Sequence, residues 1–186
     1  MSYPNHMKAA PDSRTYTVKD VASLISPLHP NAAVEQLIRQ VRHWTVCNLL
    51  TTIGAKKPGT GRSRVYDAHQ VRKAAVLVEL TRYGIQVGEL DTFGEWADML
   101  AGHDHWQAAV EGKHDVYLQM AFNADGGGSW SINGGAPDLF ALKTNSPLKR
   151  PVKVRLLDGG TLDVPIQDFS TALVFNITKI FKRLRV

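Results

Sequence analysis

The stretch from Tyr16 to Gly84 limits this chain more than any other, because it sets two amphipathic segments around a glycine-rich basic loop. Thr17 followed three residues later by Asp20 is the pattern of a helix N-cap with a reciprocal side-chain bond. Val18, Val21, Ala22 and Ile25 recur at helical spacing, so a short helix is expected over 18–25. Ser26-Pro27 and His29-Pro30 end it, since a proline disfavours helical geometry in the residue before it. Asn31 is the expected cap of a second helix. Val34, Leu37, Ile38, Val41 and Trp44 form its apolar stripe, and Glu35, Gln36, Arg39, Gln40 and Arg42 its opposite face.

Arg and Gln form bidentate pairs with guanine and adenine edges, so Gln36, Arg39 and Gln40 are the residue types of a base-reading surface. A solvated helix face has the same composition, and the loop that follows favours the first reading. Between Ile53 and Tyr66 lie Lys56, Lys57, Arg62 and Arg64 with no acidic residue among them. Like charges gathered on one turn repel each other unless a polyanion neutralises them. Gly54, Pro58, Gly59 and Gly61 predict a tight turn, and Thr51–Ile53 with Val65-Tyr66 suit two short strands, which together make a basic hairpin. Gly59-Thr60-Gly61-Arg62 is not a dinucleotide fingerprint, because no buried strand leads into it and no helix follows the glycines directly.

In order and spacing these pieces resemble the MerR-like (mercury-resistance regulator type) winged helix-turn-helix family. The matching residues are Tyr16-Thr17-Val18-Lys19-Asp20-Val21-Ala22, Arg42-His43-Trp44 with Asn48-Leu49-Leu50, and Gly61-Arg62-Ser63-Arg64-Val65-Tyr66. An apolar helix with Val71, Ala74, Ala75, Leu77, Val78 and Leu80 then runs to Tyr83-Gly84-Ile85. The resemblance implies a transcriptional regulator that binds specific double-stranded DNA as a homodimer, with the second helix in the major groove and the wing on the backbone. Carried over by position, Arg42 stands at the family's DNA-contacting arginine and Arg62 and Arg64 in the wing. Lys19, His43, Lys56, Lys57 and Tyr66 complete the expected DNA-binding set beside Gln36, Arg39 and Gln40. RNA polymerase or a regulatory protein is the further partner such an assignment implies. Two departures stand out. Ser26–Asn31 is longer and richer in proline than the family's turn, and Gly88, Gly94 and Gly102 interrupt the region where the dimerising coiled-coil helix would run.

Charge is distributed unevenly. Residues 1–90 hold 12 Lys and Arg against 6 Asp and Glu, a net of +6, while residues 91–186 hold 10 against 11, a net of −1. The polyanion-binding surface is therefore expected in the first half. With 44% hydrophobic residues the chain is outside the disordered class. No apolar run reaches the length needed to cross a bilayer, so no membrane partner is expected. Met1–Asp12 has no apolar core of a secretory signal. A cytoplasmic, nucleoid-associated protein is the expectation, and the lone Cys47 excludes an internal disulfide.

Beyond Gly84 the pattern changes. Leu90, Phe93, Trp96, Met99 and Leu100 suggest a short helix, with Asp91 near its start, and Trp106, Ala109 and Val110 extend the helical region. Alternation from Val116 to Phe122 and over Ser129–Ile132 predicts a hairpin. A second is marked by Val152–Leu157, Asp158-Gly159-Gly160 and Thr161–Val164. About four strands and a terminal helix are expected, the helix starting at Asp168, Ser170 or Thr171 and carrying Leu173, Ile177, Ile180 and Leu184. That helix either packs on the sheet or, by its heptad-like spacing, forms a subunit seam. The expected fold is α+β: an N-terminal winged helix-turn-helix followed by an antiparallel β-rich domain with a C-terminal helix. Its expected divisions are a flexible arm (1–14), a DNA-binding domain (15–88), a helical connector (89–114) and an α+β domain (115–186).

Catalytic patterns are weak, and no enzyme activity, cofactor or metal is expected. His103, Asp104, His105 and His114 are metal-ligand types, but their short spacing across a glycine-containing turn does not define a closed site. Asp125-Gly126-Gly127-Gly128 lacks the Lys and Ser/Thr of a P-loop. Two other readings use the same residues. An architectural or recombination-directing, excisionase-like protein would bend DNA with this fold. Alternatively the second half would bind a small molecule or catalyse a reaction, with Trp106, Trp130 and Phe140 lining a pocket.

Overall fold

The computed structural model describes residues 14–55, 63–123, 128–134, 151–155, 161–165, 169–184 and 186. The fold is α+β and divides into two compact units, Met1–Gly102 with Leu184–Val186, and His103–Arg183. The segment expected as a connector is shared between them, and the expected arm lies, apart from Arg14, outside the described residues.

In the first unit, strand β1 (Tyr16–Thr17) runs straight into helix α1 (Val18–Ile25). The Thr17 side chain accepts from the Asp20 N–H while Asp20 accepts from the Thr17 N–H at 2.8 Å, the reciprocal bond expected of this pair. Val21, Ala22 and Ile25 are wholly enclosed. Burying a Val or Ile side chain contributes about 1.5–3 kcal/mol, so this two-turn helix is held by its packed face. A 3-10 turn at Ser26–Leu28, with Pro27 in its first turn, separates it from α2 (Val34–Val46). Strand β2 (Val65–Tyr66) pairs antiparallel with β1, Tyr16 opposite Tyr66, and leads into α3 (Ala68–Arg82). Asp67 caps α3 by accepting from Gln70 N at 2.8 Å, and Gly84 beyond its end has φ +87, a conformation that favours glycine. Residues 73–80 of α3 are buried without interruption. A further helix, α4 (Asp91–Met99), completes this unit.

The second unit begins with α5 (Asp104–Glu111), which stops at Gly112 in the left-handed conformation. Strands β3 (Val116–Asn123), β4 (Gly128–Gly134) and β7 (Phe169–Asn176) form an antiparallel sheet in the order β4-β3-β7. Strands β5 (Pro151–Arg155) and β6 (Thr161–Pro165) make the second expected hairpin, with Arg155 opposite Thr161, and its turn lies outside the described residues. Trp106 of α5 packs edge-on against Phe181 of the closing helix α6 (Ile177–Lys182), ring centroids 4.9 Å apart.

The chain's last segment corrects the long terminal helix. Residues 169–176 are a strand, and α6 is only six residues long, capped by Asn176 accepting from Lys179 N at 3.1 Å. Its register with β3 joins positions 46 to 59 residues apart, such as Leu118 and Phe175. The 173–177–180–184 spacing thus bridges two different elements, and with it goes the long heptad seam. Five strands, rather than about four, lie in this half among the described residues.

Candidate nucleic-acid interface

The N-cap of helix α2 falls two residues later than expected. Ala33, with extended backbone, holds the N-cap place and has no side chain able to bond the helix, so neither it nor Asn31 caps α2 as expected. Leu37, Val41 and Trp44 are buried, while Glu35, Gln36, Arg39, Arg42 and His43 are exposed on the other side. Five of the expected groups thus divide simply: Gln36, Arg39, Arg42 and His43 share the solvent face of α2, and Gln40 turns partly away. The Gln40 Oε1 is shut off from solvent with no hydrogen-bond partner among the described residues. Bidentate pairing with adenine needs both polar atoms of the amide outward, which this rotamer does not offer. Cys47, partly buried beyond the helix, places Sγ 3.8 Å from His43 Nε2.

Thr45 ties this helix to the base of the basic stretch. Its hydroxyl donates to Val41 O at 2.8 Å and lies 2.7 Å from the Tyr66 hydroxyl on β2. Ile53 N donates to Val65 O at 2.8 Å, so the segment leading into the basic stretch meets the strand leaving it. Thr51–Ile53 do not form the strand expected there; beyond that single bond, the strand paired with β2 is β1. Lys56, Lys57 and Arg62 lie outside the described residues, and Arg64 is partly exposed at the start of β2. Tyr66 is wholly buried, which makes it a bolt behind the surface rather than part of it. Burial pushes its phenol above the usual range, against the Thr45 hydrogen bond and the positive charges of Arg64 and Arg42.

Lys19 is exposed on α1, and its neighbour Asp20 partly offsets its field. The backbone and side-chain hydrogen bonds of Thr17, aided by Lys19 and Arg14, hold the Asp20 carboxyl below its ordinary range against slight burial.

Sequence reasoning missed the group that positions this surface. Lys73, in the middle of α3, is fully enclosed and donates to Gly94 O at 2.6 Å and to Asp98 Oδ1 at 2.8 Å on α4. Gln70 donates to the same Asp98 oxygen at 2.8 Å and accepts from Thr51 N at 2.9 Å, so the network reaches the connection between α2 and the basic stretch. Burial draws the Lys73 ammonium below its ordinary value, partly offset by its hydrogen bond and attraction to Asp98 and by the charge of Asp67. Burial raises the Asp98 carboxyl, but the bonds from Lys73 and Gln70 outweigh it and leave a net downward shift. The available clue was a lysine directly beside the apolar run Ala74–Val78, which when buried requires a partner.

Among the described residues no helix is long and apolar enough to cross a membrane, and no group of three or more His, Cys, Asp or Glu side chains is arranged to hold a metal ion. Phe140, expected in a second-half pocket, and the Asp125–Gly127 part of the glycine run lie outside the described residues. In comparison with known sequences, no family model matches this chain, and no curated protein does either.

Proposed function

We propose that residues 16–84 form a winged helix-turn-helix that binds specific double-stranded DNA, and that the chain is a transcriptional regulator of MerR-like type acting as a homodimer. One observation carries the reading: Thr45 of α2 lies 2.7 Å from the hydroxyl of the buried Tyr66, two residues after Arg64, while Arg42 lies on the open face of the same helix. A base-reading helix and a phosphate-binding strand end are thereby linked through a shared core residue. Phosphate neutralisation falls to Lys56, Lys57, Arg62 and Arg64, with Lys19 and His43 as further contacts. Base discrimination falls to Gln36, Arg39 and Arg42. The excess of positive charge in residues 1–90 supports the same assignment.

The test is selection of bound sequences by the full chain from a random duplex pool. Enrichment of paired half-sites is expected, because a dimer imposes its symmetry and spacing on the site. Replacing Arg62 and Arg64 by Ala then lowers affinity at every sequence and reduces the salt slope by roughly two, since each phosphate contact contributes about 0.9. Arg39→Ala instead relaxes preference at one base position. A pool without enrichment, or a wing double variant of unchanged affinity, overturns the proposal.

A further inference from the structure

Two imidazoles from different elements meet over a glycine in the second unit. A Cβ built on Gly134 would lie 2.6 Å from His105 Nδ1 and 2.6 Å from His114 Nε2. The two ring nitrogens therefore flank one point and are no further apart than twice that distance. The absence of a side chain at 134 is what gives them room.

Both rings are carried on fixed backbone. His105 lies in the first turn of α5, where its N–H donates to Nδ1 of the capping His103 at 3.2 Å. The carbonyl of His114 accepts from Thr178 Oγ1 at 3.0 Å, and that oxygen accepts from Val116 N at 3.0 Å, so the start of β3 is held on α6. Gly134 lies opposite Val116 across the β3–β4 ladder. His105 is partly exposed and His114 is exposed, so an ion can reach the pair from solvent.

We propose that His105 and His114 form a two-imidazole site for a divalent zinc ion. Neutral imidazole nitrogen is a favoured zinc ligand, at about 2.0–2.1 Å from the metal. Two nitrogens on one ion thus stand at most about 4 Å apart, and side-chain rotation closes the remaining gap. Two protein ligands leave the other tetrahedral positions to water or an external donor, which makes this an open site rather than a closed structural one. The site lies wholly in His103–Arg183 and stands independently of the DNA-binding proposal.

The experiment titrates Zn2+ alone into the full chain, followed by calorimetry and by NMR of the imidazole nitrogens. One ion per chain is expected, with the His105 and His114 signals moving first. Losing even an outer-shell partner weakens metal sites roughly ten- to hundredfold, so the double variant His105→Ala, His114→Ala should lose at least that much. Gly134→Ala keeps every histidine but puts a methyl group where the two nitrogens meet, and should weaken binding in the same direction. His29→Ala, in the other unit, should leave it unchanged. Zinc affinity that survives both the double variant and Gly134→Ala overturns the site. So does a wild-type titration in which these two imidazoles do not shift, a readout that holds even if a variant fails to fold.

Discussion

In the Met1–Gly102 unit a charged amine lies at the centre of the packing, Lys73 between Gly94 and Asp98, whereas the enclosed polar side chains among the described residues of His103–Arg183 are the neutral Gln119 and Thr178. The second unit rests on apolar volume, with Trp106 against Phe181. The first combines apolar volume with a network that must remain paired. The two halves should therefore fail by different routes: one through lost volume, the other through protonation and unpaired charge.

The strongest perturbation expected is Trp106→Ala, at about 3–5 kcal/mol, because a 1% exposed ring leaves a cavity that the sheet cannot fill. Urea denaturation of the full chain measures it, and a loss below 1 kcal/mol would break the picture of a volume-supported second unit. Next comes Asp98→Ala, at about 3 kcal/mol, the lower end for a broken buried pair because the Asp98 side chain is 38% exposed. Lys73→Met should cost less than Asp98→Ala, since it leaves no uncompensated ammonium. Equal losses would show that the charge itself contributes nothing to the contrast.

The smallest effect is one of pH. Burial holds the His69 imidazole below its ordinary 6.5, while Asp67 and Asp98 pull it back upward. The unfolded chain then binds more protons than the folded one, so stability of the first unit falls as pH drops from 6.5 through the folded value. Amide exchange in α3, corrected for intrinsic rates, should reveal that slope, and His69→Gln should flatten it. An equal slope in β3 of both proteins would erase the distinction between the units.

Legibility in the sequence followed the range of the interactions. The Thr17–Asp20 box and helix 18–25 were readable because each cue lies within four residues of the next. So were α3 and the pairing of β5 with β6. The start of α2 was misplaced because Asn31 offered a better cap on paper than Ala33, which the structure uses without any side-chain bond. β7 was read as helix because apolar residues of a strand and of a following short helix happened to fall at helical intervals, while the β3 partner that decides the matter is far away in the chain. Lys73 and Asp98 are 25 residues apart, and nothing local to either names the other. Of the proposed interface, the exposed face of α2 was legible from periodicity; the inward turn of Gln40 and the burial of Tyr66 depend on packing that periodicity does not encode.

Gly94 draws these observations together. A methyl group there would stand 3.3 Å from the Asn48 carbonyl oxygen and 3.3 Å from Leu49 Cδ2, and Asn48 itself already has φ +61. One hydrogen atom on α4 thus sets the clearance for the turn that follows α2, from a position that carries no charge.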